Sequence, residues 1–130
     1  EYEVNGIVFA ADCGVAINPT LVEGQIEGGE HMSFEYATSG TLSFDDNGNP
    51  EVLGFRQYGM PTTANTPPME TIVVETHEPT GPFGAKSIAE LPTNAVAPAL
   101  SNAVRDAVDV RIHDLPITAE KIRTQLGAPD

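Results

Sequence analysis

Between residues 94 and 108 the apolar side chains Val96, Leu100, Ala103, Val104, Ala107 and Val108 return at helical spacing. That stripe must be buried against something, and the spacing predicts an amphipathic helix there, with Pro98 near its start. Most of the remaining apolar material comes in short runs instead. VNGIVFAA at 4–11 and TIVVE at 71–75 are β-branched enough for strands, and VRIH at 110–113 reads as a brief third. Long helical stripes beside short strands point to a mixed α+β fold, a small mixed sheet with packed helices.

Two more helices are expected. Thr20-Leu-Val-Glu23 has the form of a capping box, and Val22, Ile26, Gly29, Ser33 and Tyr36 then fall on or near one face, with Gly40 as a stop. Thr118 can cap a last helix that runs through Leu126 and is closed by Gly127. Leu42 and Phe44, the turn-forming DDNGN, and Val52–Phe55 read as a hairpin over 41–58, followed by a loop over 59–68. A chain of 130 residues supports one modest core, so residues 1–130 are read as a single domain. Its opening on Glu1, directly before an apparent strand, reads as a fragment of a longer polypeptide.

Charge narrows the function classes. Residues 1–85 hold 13 acidic side chains against Arg56 alone, and the whole chain carries −13 at pH 7. Such a surface repels nucleic acid and anionic lipid, so neither nucleic acid nor membrane is expected as a partner. No run of 18 apolar residues is present. The single Cys13 forms no internal disulfide, which fits a reducing, cytoplasmic location.

Near-miss motifs exclude more. DDNGNP has the first ligand positions of a calcium loop, but the obligatory glycine is Pro50 and the closing glutamate is Arg56. GPFGAKS lacks the glycine before lysine that a phosphate loop requires. His31, His77 and His113 have no ligand-spaced partners, and no metal-ligating residue is expected. No serine sits in a nucleophile elbow, and Cys13 has no identifiable base.

Two features carry chemistry. The first predicted helix contains Gly24, Gly28 and Gly29, each costing roughly 0.5–1 kcal/mol against alanine, as is found where another body approaches the backbone. Glu90 lies among Ile88, Ala89 and Leu91, just before a helix. It reads either as a general base tuned by desolvation or as a surface acid that interacts with a helix N-terminus.

Three blocks bear on that choice. DCGVAINPTLVEGQIEGG at 12–29 resembles the cofactor-binding stretch of the molybdenum hydroxylases, the xanthine dehydrogenase and aldehyde oxidoreductase family. GPFGAKSIAELP at 81–92 resembles that family's catalytic-glutamate segment, and VRIHDLPITAEKI at 110–122 its usual ending. The resemblance implies the C-terminal subdomain of a molybdopterin-binding large subunit that oxidises an N-heterocycle, such as a purine, or an aldehyde. It implies a molybdenum–molybdopterin cofactor in the cytosine dinucleotide form. The cofactor would be contacted by the Gln25 amide and by the backbone of Lys86, Ser87, Ile88 and Ala89, with Glu90 as general base. It also implies the remainder of the large subunit and iron–sulfur and FAD domains or subunits as partners, and an inactive chain when isolated. Where the family has Gly-Val-Gly before the glutamate, this chain has Ser87-Ile88-Ala89. That departure leaves room for a second reading, a non-catalytic binding or assembly module with the same fold.

Overall fold

The computed structural model describes residues 2–127. Two strands, β1 (Ile7–Asp12) and β2 (Met69–Val74), pair in parallel, with Ile7 opposite Met69 and Asp12 opposite Val74. Four helices follow the chain: α1 (Pro19–Thr38), α2 (Phe55–Tyr58), α3 (Val96–Val108) and α4 (Ala119–Gln125). Single 3₁₀ turns occupy Pro82–Gly84 and Leu91–Thr93. The fold is the expected mixed α+β, with a two-stranded sheet.

The chain divides into two compact units. One combines Glu3–Ser33 with Pro67–Val96, and the other combines Phe34–Thr66 with Tyr2 and residues 97–127.

The first unit holds both strands. Period-two alternation buries Phe9, Ala11 and Cys13, while Val8 and Ala10 face outward. By register, Val8 lies beside Glu70, Ala10 beside Ile72 and Asp12 beside Val74, so Val8, Ile72 and Val74, 64%, 45% and 40% exposed, form an open, largely apolar face that Glu70 and Asp12 also share. Parallel sheets are normally covered on both faces, which makes this open face unusual. The ladder is extended by Ile7 N–H donating to Pro68 O at 2.9 Å and Cys13 N–H to Val74 O at 3.2 Å. Cys13 is buried, as expected of an inert thiol.

Helix α1 starts two residues earlier than the capping box predicts. The Asn18 side chain accepts from Leu21 N–H at 3.2 Å, and Pro19 takes the first helical position. Proline there has no N–H to leave unsatisfied and its φ is already helical, so Asn18-Pro19 displaces Thr20 as the start.

The second unit buries Phe34, Ala37, Leu100, Val104, Val110, Ile112 and Ile117. Ile117 N–H donates to Ala37 O at 2.6 Å, and Thr118 caps α4 by accepting from Lys121 N–H at 3.2 Å. The expected hairpin over 41–58 reduces to one antiparallel bridge between Phe44 and Pro50. The Asp45 carboxylate accepts from Asn47 and Asn49 N–H at 2.9 and 2.8 Å, closing a side-chain turn, and Pro50 has no N–H to continue a ladder. Gly54 then opens α2, and Gly59 ends it at φ +83°. Val110 to His113 is not a strand either. Its alternating burial is strand-like, but the Ile112 carbonyl accepts from the Ser101 hydroxyl at 2.9 Å rather than from a neighbouring strand. Among the described residues no helix is long and apolar enough to cross a membrane.

Candidate functional site

All six residues singled out from the sequence lie in the strand-bearing unit. Lys86–Glu90 is extended chain and bend between the two 3₁₀ turns, and its start is fastened to the end of β1. Lys86 N–H donates to Cys13 O and Val15 N–H to Gly84 O, both at 2.8 Å, forming the Gly14–Ala85 bridge. Gly14 sits at φ +66°, and a Cβ built there would lie 2.3 Å from Gly84 O and 2.9 Å from Lys86 N. Only glycine fits that left-handed position with backbone so close.

Side chains tighten the same junction. Lys86 Nζ donates to Asp12 Oδ2 at 2.6 Å and to the Thr76 hydroxyl at 3.2 Å. Asp12 also accepts from Gly14 N–H at 2.8 Å and from Thr76. The Lys86 ammonium, then the Gly14 amide and the Thr76 hydroxyl, hold the Asp12 carboxyl down to about 2. Lys86 thus spends both its side chain and its N–H on position. Asp12, Gly14 and Thr76 were missed from sequence. Asp12 opens the DCG block, but its partners lie 64 and 74 residues away, a separation no local pattern reveals.

Because this carboxyl is depressed, the stability it contributes is present above the ordinary aspartate range and lost as pH falls through about 2. Asp12→Asn is therefore expected to flatten the acid limb of the stability profile between about pH 4 and 2. Acid titration followed by circular dichroism checks this, and coincident acid limbs would refute it.

Beyond Lys86 the segment is uncommitted. Ser87, Ala89 and Glu90 are exposed and Ile88 is half-buried. Among the described residues no hydrogen bond engages the N–H of Ser87, Ile88 or Ala89, nor the Glu90 carboxylate. The Glu90 carbonyl is used, accepting from Thr93 N–H and from the Thr93 hydroxyl at 2.8 Å. Glu90 stands at the N-cap of the Leu91–Thr93 turn without a side-chain cap bond. That turn is anchored on α1: a Cβ on Gly29 would come within 2.8 Å of Pro92, and the Ser33 hydroxyl donates to Thr93 O at 3.0 Å.

Helix α1 and the Glu90 segment are thereby joined at Gly29 and Ser33, one to two turns beyond Gln25. Gln25 is exposed, and its amide makes no hydrogen bond among the described residues. Gly24 and Gly28 occupy one face four residues apart, and a Cβ at either would meet nothing within 4 Å. Of the three glycines expected to admit a close neighbour, Gly29 has one within the chain. No group of three or more His, Cys, Asp or Glu side chains among the described residues is arranged to hold a metal ion.

A comparison with protein families matches residues 1–67 to the molybdopterin cofactor-binding domain. The chain belongs to that family. Its curated relatives include a probable hypoxanthine oxidase of Escherichia coli K12, 36% identical over 88% of this chain and 12% of that protein. The nicotine 6-hydroxylase large subunit of Paenarthrobacter nicotinovorans is 35% identical over 92% of this chain and 15% of that protein. Among solved structures, quinoline 2-oxidoreductase from Pseudomonas putida 86 superposes with a TM-score of 0.83 at 31% identity, covering 94% of this chain and 16% of that one. A Cu,Mo-CO dehydrogenase matches with a TM-score of 0.81 at 35% identity, over 92% and 16%. The chain is thus a member of the molybdenum-hydroxylase superfamily, homologous to oxidoreductases, and it spans roughly one-eighth to one-sixth of these relatives.

Proposed function

We propose that this chain is a molybdopterin-binding and assembly module of a molybdenum-dependent oxidoreductase subunit, and that it has no activity alone. The observation that carries this reading is the uncommitted polar surface of the strand-bearing unit. The Gln25 amide, the open backbone at Gly24 and Gly28 and the unengaged N–H groups of Ser87, Ile88 and Ala89 all belong to it. A pterin with a phosphate tail needs amide partners and close backbone approach, and these residues are of the kind that fits. Gln25 would hold the group through its side-chain amide, and Ser87, Ile88 and Ala89 through peptide N–H groups, the Lys86 N–H being already given to Cys13 O. When bound, the cofactor supplies the two-electron redox chemistry. The clamp between Asp12 and Lys86 keeps the start of the second contact segment in place before the cofactor arrives.

In this reading the module is the C-terminal part of a large subunit, and the rest of that subunit completes the pocket. Support comes from the open apolar face of Val8, Ile72 and Val74 and from the small share of each relative that the chain spans. Iron–sulfur and FAD domains or subunits would carry electrons away, and the substrate would be an N-heterocycle or an aldehyde. A second reading adds catalysis. The Glu90 carboxylate is exposed and unpartnered on a segment fixed at both ends, so it is positioned to accept a proton from a reacting group.

The module reading is tested by cofactor content. The isolated chain is expected to retain far less than one equivalent of molybdenum and pterin, because a pocket built from several segments loses most of its contacts when one is alone. In the parent subunit Gln25→Ala is expected to lower cofactor occupancy. In the isolated chain the same change shifts stability by no more than about 0.5 kcal/mol, as for an exposed side chain without partners. Full molybdenum loading of the Gln25→Ala subunit would count against the reading.

A further inference from the structure

Glu30 is the least expected side chain of the fold. It lies on α1 between Gly29 and His31, is 0% exposed, and among the described residues neither carboxylate oxygen has a hydrogen-bond partner. Its face of the helix also carries Ile26, buried one turn before, and Phe34, buried one turn after. A carboxylate ionised in such a place would bear most of the cost of leaving water with nothing to offset it, whereas a neutral carboxylic acid bears far less.

Among the described residues no cation acts on Glu30 to change that balance. On its own helix the ionisable neighbours are Glu27, one turn before, and His31, directly after. The Leu91–Thr93 turn, which packs on α1 at Gly29, has no ionisable side chain, and the residue leading into it is the acidic Glu90. The charge felt at Glu30 is that of Glu27, which is repulsive.

We propose that Glu30 is a buried proton-binding site: the folded chain holds it as the neutral acid, so folding takes up a proton and the fold weakens as pH rises through neutrality. Desolvation, with the Glu27 charge second, pushes the Glu30 carboxyl up to about 7, in the same direction. The sign follows from linkage. A carboxyl whose folded-state value is raised contributes stability that is fully present below the ordinary glutamate range and is lost as pH climbs through about 7. This inference is independent of the cofactor assignment.

The test compares urea unfolding of the wild-type chain and Glu30→Gln from pH 5 to 8.5, since glutamine keeps the shape of the neutral acid and cannot ionise. The wild-type folding equilibrium is expected to weaken by up to about tenfold per pH unit more than that of the variant between pH 5 and 7, the slope for one linked proton. General repulsion among the surface acids affects both proteins alike. Parallel profiles would overturn the proposal. Should Glu30→Gln not fold, Glu30→Met gives the same comparison without polar atoms. The difference is expected to persist in a His31→Gln background, and its disappearance there would assign the titration to the histidine and overturn the proposal. Infrared spectroscopy reads the proton directly: the carbonyl stretch of a protonated carboxyl should be present in the folded wild type at pH 6, absent at pH 8.5, and absent from Glu30→Gln. A missing band at pH 6 would likewise refute the assignment.

Discussion

Gly14→Ala is expected to destabilise the chain by roughly 2–4 kcal/mol, combining the penalty for a left-handed non-glycine residue with a backbone clash that has no flexible side chain to absorb it. The added Cβ would lie 2.3 Å from Gly84 O and 3.1 Å from Ala85 C, so the Gly14–Ala85 bridge must open to admit it. Opening it breaks the 2.8 Å bonds from Lys86 N–H to Cys13 O and from Val15 N–H to Gly84 O, and draws Lys86 away from Asp12. Urea unfolding should show a lower midpoint with an unchanged slope. Gly24→Ala and Gly28→Ala serve as internal controls with the opposite sign. Both positions are helical and open, so each should stabilise the isolated chain by about 0.5–1 kcal/mol. A loss under about 1 kcal/mol for Gly14→Ala would mean that residues 84–86 are not held by the end of β1.

These glycines show why some of the fold can be read from sequence and some cannot. The stripe from Val96 to Val108 and the Thr118 cap are local patterns, and the structure realises both as α3 and α4. Local patterns also misled where a side chain replaced a backbone partner. Asp45 closing its own turn, and Ser101 satisfying Ile112, remove the need for the strands that alternation suggested at 41–58 and 110–113. At α1 the capping box pointed to Thr20, whereas Asn18 caps the helix two residues earlier, with Pro19 at the first helical position.

The candidate site divides in the same way. Gln25 and the segment from Lys86 to Glu90 could be named as candidates because each lies in a contiguous block with a family resemblance. The structure adds that both blocks lie in one unit and that Gly29 and Ser33 join their elements. The network of Asp12, Thr76 and Lys86 was not legible, since its members belong to three segments that meet only after β1 and β2 have paired. Glu30 was not legible for another reason. Its helical phase places it with Ile26 and Phe34, but a glutamate on a glycine-rich, acidic helix reads as solvated until its burial is known.

The largest effect is expected at Glu90. If its carboxylate takes a proton during turnover, Glu90→Gln in the parent enzyme keeps size and hydrogen-bonding reach while removing proton acceptance, and turnover should fall by about 10²–10⁴-fold, the range for losing a general base. Molybdenum content should stay near that of the wild type, because the proposed cofactor contacts lie at Gln25 and along the backbone of residues 86–89. The alternative for Glu90, a surface acid that steadies a helix end, predicts the reverse pattern. It would require the side chain to engage the turn that follows, yet the Leu91–Thr93 turn has no side-chain cap bond, and its closing bonds come from the Glu90 carbonyl, which glutamine retains. Accordingly, Glu90→Gln in the isolated chain should move stability by no more than about 0.5 kcal/mol. The two measurements together separate the readings: lost turnover with unchanged stability and full molybdenum supports the base, whereas full turnover in a molybdenum-loaded Glu90→Gln enzyme would leave the module with binding and assembly alone.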